Sequence, residues 1–558
     1  MGSIFKIFSF TATCLFITAC SAPKQKVDSQ FAITPPTESE IETTINQQLA
    51  ITLNAFAPVA GQALANNSVL AAYRARNYSP IWIKDQTINP SIYKLVDILE
   101  QSHTHGLNPI LYYTNIINEY LAIPQPSTQQ LAEMDVIATI ALGSYAHDLS
   151  NGRYEPQLID PNWQLDAPSN TWNELLYLDS ATDMVNYLGV LAPRSPEYQV
   201  LQKWLTYYKD LIQKEKDILV QAGVPLSIGD QGPRVAQLRA RLVQLGDIRF
   251  STRRVNEDEF DEKLQEALKR FQHRHHITSD GAAGSKTIQM LNVPLSTRVK
   301  QITYNLERWR WLPSELESNR IWVDLTNYTV DLHLNNELTT MKAVIGKPER
   351  KTPVFKGLMT YMVTNPTWRV PHRIATENLL PKLQSNPNYL IERGYKVFSS
   401  WSVGAKELDS TLIDWNKITP ETLNYRFEQN QDKENALGQY KFMFPNRNEI
   451  YLHDTPAKHL FKETDRAYSS GCVRLEKPHE FAEAITKNSK RFTEMTESLS
   501  NKSNTVVTLP KYLPVYLIYL TVVPNMNGML EFRHDIYDRD PLMEEAMGYH
   551  RFAPSESI

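Results

Sequence analysis

The spacing of apolar positions divides the chain into a long helical stretch and a strand-rich last third. From about residue 45 to 222 apolar side chains recur at helical intervals. In "LAEMDVIATIALGSYAHDL", Leu131, Met134, Ile137, Ala138 and Ala141 fall at i, i+3, i+4 spacing, which predicts a helix with a buried face. "NPSIYKLVDILEQSHTHG" predicts another, with Asn89 as N-cap, Pro90 at its start and Gly106 closing it. Two shorter helices follow, one presenting Val235, Leu238, Leu242 and Leu245, the next Leu264, Ala267, Leu268 and Phe271. "ITSDGAAGSKTIQMLNVP" adds a Gly turn and a third short helix, so residues 225–293 read as a small domain of their own. "RVKQITYNLERWRWLP" carries Ile302, Leu306 and Trp309 on one face and predicts a connector helix over 298–316 that packs back on the helical scaffold.

From Ile321 the apolar period changes from 3.6 to 2. Val330, Leu332 and Leu334 alternate with polar residues, and Asn335-Asn336 marks a hairpin turn. "ALGQYKFMF", "EIYLHDT" and "LPVYLIYLTVV" read as further strands. Residues 320–545 are therefore expected to form a mainly-β domain, interrupted over 372–435 by an insertion rich in Pro, Asn, Trp and Tyr, with a tail over 546–558. The fold class expected is multidomain α+β.

The N-terminus changes the picture. Lys6 precedes an apolar run from Ile7 to Ala19, a secretory-signal pattern too short for a membrane span of roughly 20 residues. Its end, Ile17-Thr18-Ala19-Cys20, resembles the bacterial lipobox. Residues 1–19 are then a lipoprotein signal peptide, Cys20 the lipidated residue, and 20–44 a polar tether. Lys6 stands where a myristoylation motif wants Ser or Thr. Formal net charge is −4, with no polybasic block, which argues against nucleic acid as partner. His103, His105 and Asp148 read as surface or satisfied polar groups. The run "HRHH" at 273–276 reads as a solvated helix end, because neither HExxH nor Cys ligands accompany it, and no metal is expected.

The chain has three cysteines, at 14, 20 and 472. With the signal removed and Cys20 lipidated, Cys472 is the one free thiol left in an exported protein. It reads either as a buried inert residue or as a catalytic nucleophile. A nucleophilic thiol needs a base or a positive field. His453 lies upstream in "EIYLHDTPAKHLF", where strand alternation puts Tyr451 and His453 on one face and Ile450 and Leu452 on the other. In "SSGCVRL", an extended backbone puts Ser470, Cys472 and Arg474 on one face and buries Val473. Gly471 permits a tight turn, and its amide and that of Cys472 are oxyanion-hole candidates.

H-x-T followed by S-x-G-C-V-R-L resembles the signature of the L,D-transpeptidase catalytic domain of the YkuD type. "VIGKPERKTPVF", "TNPTWRVP" and "ALGQYKFMFPN" extend the resemblance. The pattern G-D-x-G-x-x-V over 229–235, with A-L-x-x-F-Q and D-G-x-x-G-x-x-T after it, resembles the peptidoglycan-binding domain, except that His276 replaces the usual Gly. With the helical scaffold, the whole resembles the large Gram-negative YcbB-type branch. The resemblance implies a peptidoglycan L,D-transpeptidase joining third residues (diaminopimelate) of stem peptides through a Cys472 acyl-enzyme, with His453 as base and D-Ala released. It implies site-organising roles for Gly471, Ser470, Tyr451 and Arg474, and substrate contacts from Trp368 and Asp454. Ser470 stands where many members have His, and Asp454 where they have Gly. What orients His453, a backbone carbonyl or Asp454 itself, is open in the sequence. The 372–435 insertion is expected to act as a cap that keeps water from the thioester. No cofactor is expected. The implied partners are stem peptides, glycan and glycan-polymerising penicillin-binding proteins. The implied place is the periplasm, held by lipid to a membrane, the outer one favoured because Ser rather than Asp follows Cys20. Carbapenem acylation of Cys472 is a further family expectation. Two other readings use the same residues: a cysteine carboxypeptidase or amidase acting on wall peptides or a lipoprotein linkage, and a lipid-tethered wall-binding scaffold.

Overall fold

The computed structural model describes residues 45–55, 63–84, 87–165, 168, 172–248, 256–431 and 434–548. Cys14, Cys20, the signal, the tether and most of the tail lie outside them. The architecture is multidomain α+β: a helical scaffold, a small three-helix domain and a β-rich domain.

The scaffold is organised by the helix Thr128–Asn151, which starts in a capping box between Ser127 and Gln130. Nearly every one of its residues is buried, as expected of a helix apolar on most sides. Ile45–Ala55, Ala63–Ala75 and Thr114–Leu121 pack around it. The helix Ser91–Glu100 ends, through a short 3-10 turn, at Gly106 with φ 73°. Asn89 caps its start by accepting the Ser91 N–H. The scaffold has its own core, running from Leu49 to Leu188. The next helix, Pro196–Lys214, lies within the expected scaffold stretch but buries Tyr198, Leu201, Leu205 and Tyr208 in a different core.

That second core is continuous through the three-helix domain, the connector helix and the β domain. The connector runs Leu295–Arg310 and packs most heavily on Pro196–Lys214. The helix end expected to be solvated is instead docked. Arg274 pairs with Asp247 in a buried bridge and donates to the Leu530 carbonyl. His275 is buried and stacks on Phe532 at 5.5 Å, while Arg298 lies 4.2 Å over the same ring. His276 takes the left-handed φ (52°) that its usual Gly would supply, and faces Glu531. The hairpin Val522–Pro524/Leu530–Phe532 covers this end, and no local signal in "HRHH" announced a partner some 250 residues later.

The β domain is a nine-stranded sheet. Its order is Ala467–Ser469, Glu337–Gly346, Val473–Leu475, Leu452–His453, Tyr440–Met443, Phe355–Thr364, Thr505–Ile518, Arg320–Asp324, Thr329–Leu334. Thr329–Leu334 also pairs with Glu337–Gly346, so the sheet closes on itself and leaves Ala467–Ser469 as an appended edge. Asn335 and Asn336, both at positive φ, make the hairpin turn between them.

The insertion is a small body with its own sheet and core. Strands Trp368–Arg369, Arg426–Gln429, Tyr395–Phe398 and Glu407–Leu408 form a separate four-stranded sheet. Val370, Leu380, Leu383, Val397, Trp415 and Phe427 belong to its own core. It therefore begins at Trp368, slightly before the expected boundary, and leans over the cleft described next.

Candidate active site

Three adjacent short strands floor the cleft. Along Tyr440–Met443 the alternation buries Tyr440 and Phe442 and turns Lys441 and Met443 the other way. Lys441 pairs with His453 across one strand gap, and His453 with Arg474 across the next, so the three form a row. Leu452 pairs with Val473, and both are fully buried. A one-residue slip would drive His453 and Arg474 into the core, so burial holds the register.

Cys472 sits at the turn before the last of these strands. Gly471 has φ 123°, a conformation that favours glycine, and a Cβ there would lie 3.2 Å from Ile450 Cδ1. Ser469 ties the turn: its hydroxyl donates to the Cys472 carbonyl (2.5 Å) and accepts the Gly471 N–H (3.1 Å). The Thr352 hydroxyl donates to the Gly471 carbonyl at 2.8 Å. The Gly471 amide, expected as an oxyanion donor, is thus already engaged, which leaves the Cys472 amide as the candidate of that pair. The thiol points at the Glu449 carbonyl (3.8 Å), and no direct thiol–imidazole hydrogen bond is made among the described residues. Tyr451 and Trp368 line the same cleft as the thiol.

His453 Nδ1 lies 2.5 Å from the Asp454 carbonyl. A carbonyl only accepts, so Nδ1 carries the proton and Nε2 keeps its lone pair for the cleft. The Tyr451 ring meets the imidazole edge-on at 5.6 Å. Burial, then the Arg474 charge, push the imidazole pKa down to about 3. Burial also raises the Cys472 thiol, against the opposing pull of Tyr451, Lys441 and Arg474. Burial thus favours the neutral form of both groups.

The orienting group is the backbone carbonyl, not the Asp454 side chain. Asp454, expected from the sequence to contact substrate, is not among the residues that line the cleft. It is buried off the cleft, and its carboxylate accepts the Gln439 N–H (2.9 Å), the Thr455 N–H (2.7 Å) and the Lys458 ammonium (2.6 Å). Gly438 makes room for it. At φ 58°, a Cβ there would lie 2.2 Å from Asp454 Oδ2. Gly438→Ala is expected to lower stability by about 2–3 kcal/mol, read by urea unfolding, through left-handed strain plus the clash.

Ser470 is a bridge to the cap. Its hydroxyl accepts from Arg350 Nη1 at 2.6 Å, and Arg350 Nη2 donates to Glu377 and to Asn378 Oδ1 (3.0 Å), both on the insertion. Arg474 is half-buried, makes no ion pair among the described residues, and its Nε has no partner. An unpaired guanidinium on a cleft wall suits a substrate carboxylate. Cys472, His453, Ser470, Tyr451, Arg474 and Trp368 line one cleft of about 770 Å³. Sequence reasoning missed Lys441, Arg350 and Glu449 there. The alternation of "QYKFMF" was sufficient to place Lys441 on the cleft face. Arg350 gave no signal, because Ser470 lies 120 residues away.

Burial of histidines sets an acid limit. His105, bonded to the Tyr198 hydroxyl, also has its pKa pushed down to about 3 by burial and then Arg310. Unfolded, such imidazoles take protons near about 6.5. Below that pH the unfolded chain binds more protons than the folded one. Stability is thus present above about 6.5 and falls as pH drops towards 3, by up to about 1.4 kcal/mol per pH unit for each of His105 and His453. Urea unfolding at pH 7 and 5 checks this, and His105→Gln should flatten the slope.

The closed sheet thus sets a thiol and a carbonyl-pinned imidazole in one capped cleft. Residues 318–505 match the model of the L,D-transpeptidase catalytic domain, 231–291 that described as "Putative peptidoglycan binding domain", and 67–205 that of the Scaffold domain. The chain carries a YkuD-type L,D-transpeptidase catalytic domain beside a peptidoglycan-binding domain. A protein of Haemophilus influenzae named "Putative L,D-transpeptidase" is 33% identical over 263 residues, covering 46% of this chain and 52% of the relative. The match thus spans about half the length of that curated relative. Among solved structures, the L,D-transpeptidase (residues 123–326) of Xylanimonas cellulosilytica is 15% identical, with 53% of this chain and 99% of that one covered and a TM-score of 0.16. The Ldtfm–avibactam carbamoyl enzyme is 11% identical, with 57% and 98% covered and a TM-score of 0.17. TM-scores this low give these two likenesses no weight.

Proposed function

We propose that the chain is a peptidoglycan L,D-transpeptidase that links stem peptides through a Cys472 acyl-enzyme. The observation that carries this reading is the contact of His453 Nδ1 with the Asp454 carbonyl, which leaves Nε2 for the cleft that holds the only described thiol. As a tetrapeptide stem enters, the thiol proton passes to Nε2 and the sulfur attacks the carbonyl of the third residue. The S–C bond forms and the C–N bond to D-Ala breaks, with the proton on Nε2 going to the departing amine. A low imidazole pKa favours that donation. The side-chain amine of a second stem then attacks the thioester, yields its proton to His453, and regenerates the thiol. Arg474 would hold a stem carboxylate, and Trp368 would bound the cleft from the cap side. The role in wall building, a periplasmic lipid anchor at Cys20, and cooperation with glycan polymerases belong to the same proposal.

The test is to give the protein disaccharide tetrapeptides and weigh the products. Dimers joined through two third residues, absent with Cys472→Ala, support transfer. Tripeptide alone would make it a hydrolase, and no change a binding scaffold.

A further inference from the structure

Lys441 is a cation that the cleft holds without a salt bridge among the described residues. It is half-buried, lines the cleft, and has no ion pair among the described residues. Its ammonium lies 4.1 Å over the Tyr451 ring, and Lys441, Tyr451 and Cys472 line the same cleft. In the cross-strand row it flanks His453 on one side as Arg474 does on the other. We propose that Lys441 is a positioning residue of this centre: its ammonium, held on the Tyr451 face, supplies a fixed positive charge that stabilises the Cys472 thiolate once His453 has taken the proton.

The chemistry follows from placement. A cation on an aromatic face is fixed where a free lysine would wander, and in a partly dehydrated cleft its field on a nearby anion is large. Between Lys441 and Arg474, an imidazolium at His453 is disfavoured while a thiolate at Cys472 is favoured. The two effects together drive the proton onward from Nε2 to the leaving amine. That onward transfer rests on the acyl-transfer reading, whereas thiolate stabilisation does not. The charged and titratable groups that bear on the sulfur are Tyr451, Lys441 and Arg474, while His453 lines the same cleft and the Glu449 carboxylate acts on Lys441. Burial lowers the Lys441 pKa, but the nearby sulfur and Glu449 act to restore its charge.

The test needs no wall substrate, so its failure is separable from failure of the functional reading. The full chain is treated with iodoacetamide from pH 6 to 10, and alkylation is followed by mass on the peptide that carries Cys472. With Lys441→Met, the midpoint of the pH–rate profile should rise by about one unit, and the rate at pH 7.5 should fall about tenfold. Lys441→Arg should recover most of the loss. If the Met variant does not fold by thermal melt, Lys441→Gln takes its place. A folded variant with an unmoved midpoint would overturn the proposal.

Discussion

His453→Gln is expected to lower kcat/KM for acyl transfer by about a thousandfold while leaving the fold intact. General-base and general-acid work is worth roughly 10²–10⁴-fold, and in the proposed reaction one side chain performs both halves. Gln is the informative replacement because its amide can still donate to the Asp454 carbonyl that now accepts from Nδ1. It therefore keeps the bond that orients the side chain and removes only the lone pair at Nε2. No second histidine stands in, because Ser470 occupies the neighbouring position and is committed to Arg350. Steady-state rates on tetrapeptide stems, read beside the thermal melt, check the prediction. A loss of activity matched by a loss of folding would leave His453 a structural residue, and a loss under tenfold would mean that another group takes the proton.

The second large effect is on stability. Arg310→Met is expected to cost about 3–5 kcal/mol in urea unfolding. Arg310 and Glu307 form a pair with both side chains fully buried on the connector helix. Arg310 also donates to the His105 carbonyl and the Tyr198 hydroxyl, each at a distance of 2.8–2.9 Å, and Glu307 accepts the Tyr154 N–H at 3.0 Å. The pair thus ties the connector to three other segments. Met fills a similar volume but leaves the Glu307 carboxylate buried without its cation, and that uncompensated charge sets the magnitude. The double variant Arg310→Met, Glu307→Gln should regain a large part of the loss, because it removes the orphaned charge. Failure to regain any would place the cost in packing instead.

Much of the fold was legible because its signals are local. The helix around Met134 and the hairpin at Asn335-Asn336 are written in periodicity and turn chemistry. The residues gathered around Cys472 were legible for a related reason. Strand alternation alone puts Tyr451 with His453 and Cys472 with Arg474, and the pairing of Leu452 with Val473 brings the two segments together. What was misread depends on partners distant in sequence. Asp454 looked like a site carboxylate because it adjoins His453, yet its acceptors are used up by backbone N–H groups and Lys458. The histidine-rich helix end looked exposed because Phe532 and Leu530, which cover it, come from the other end of the chain. The insertion's own sheet was not legible because its strands are only two to four residues long, too short for a period to register.

The central claim is that Cys472 carries the acyl group. Its most direct test is to incubate the protein with a tetrapeptide stem and no amine acceptor, quench in acid, and map the modified peptide by mass. The account predicts an adduct equal to the stem less its terminal D-Ala, on the peptide "SSGCVR" and on no other, and its absence from Cys472→Ala. An adduct on a different residue, or one that persists in Cys472→Ala, would contradict it.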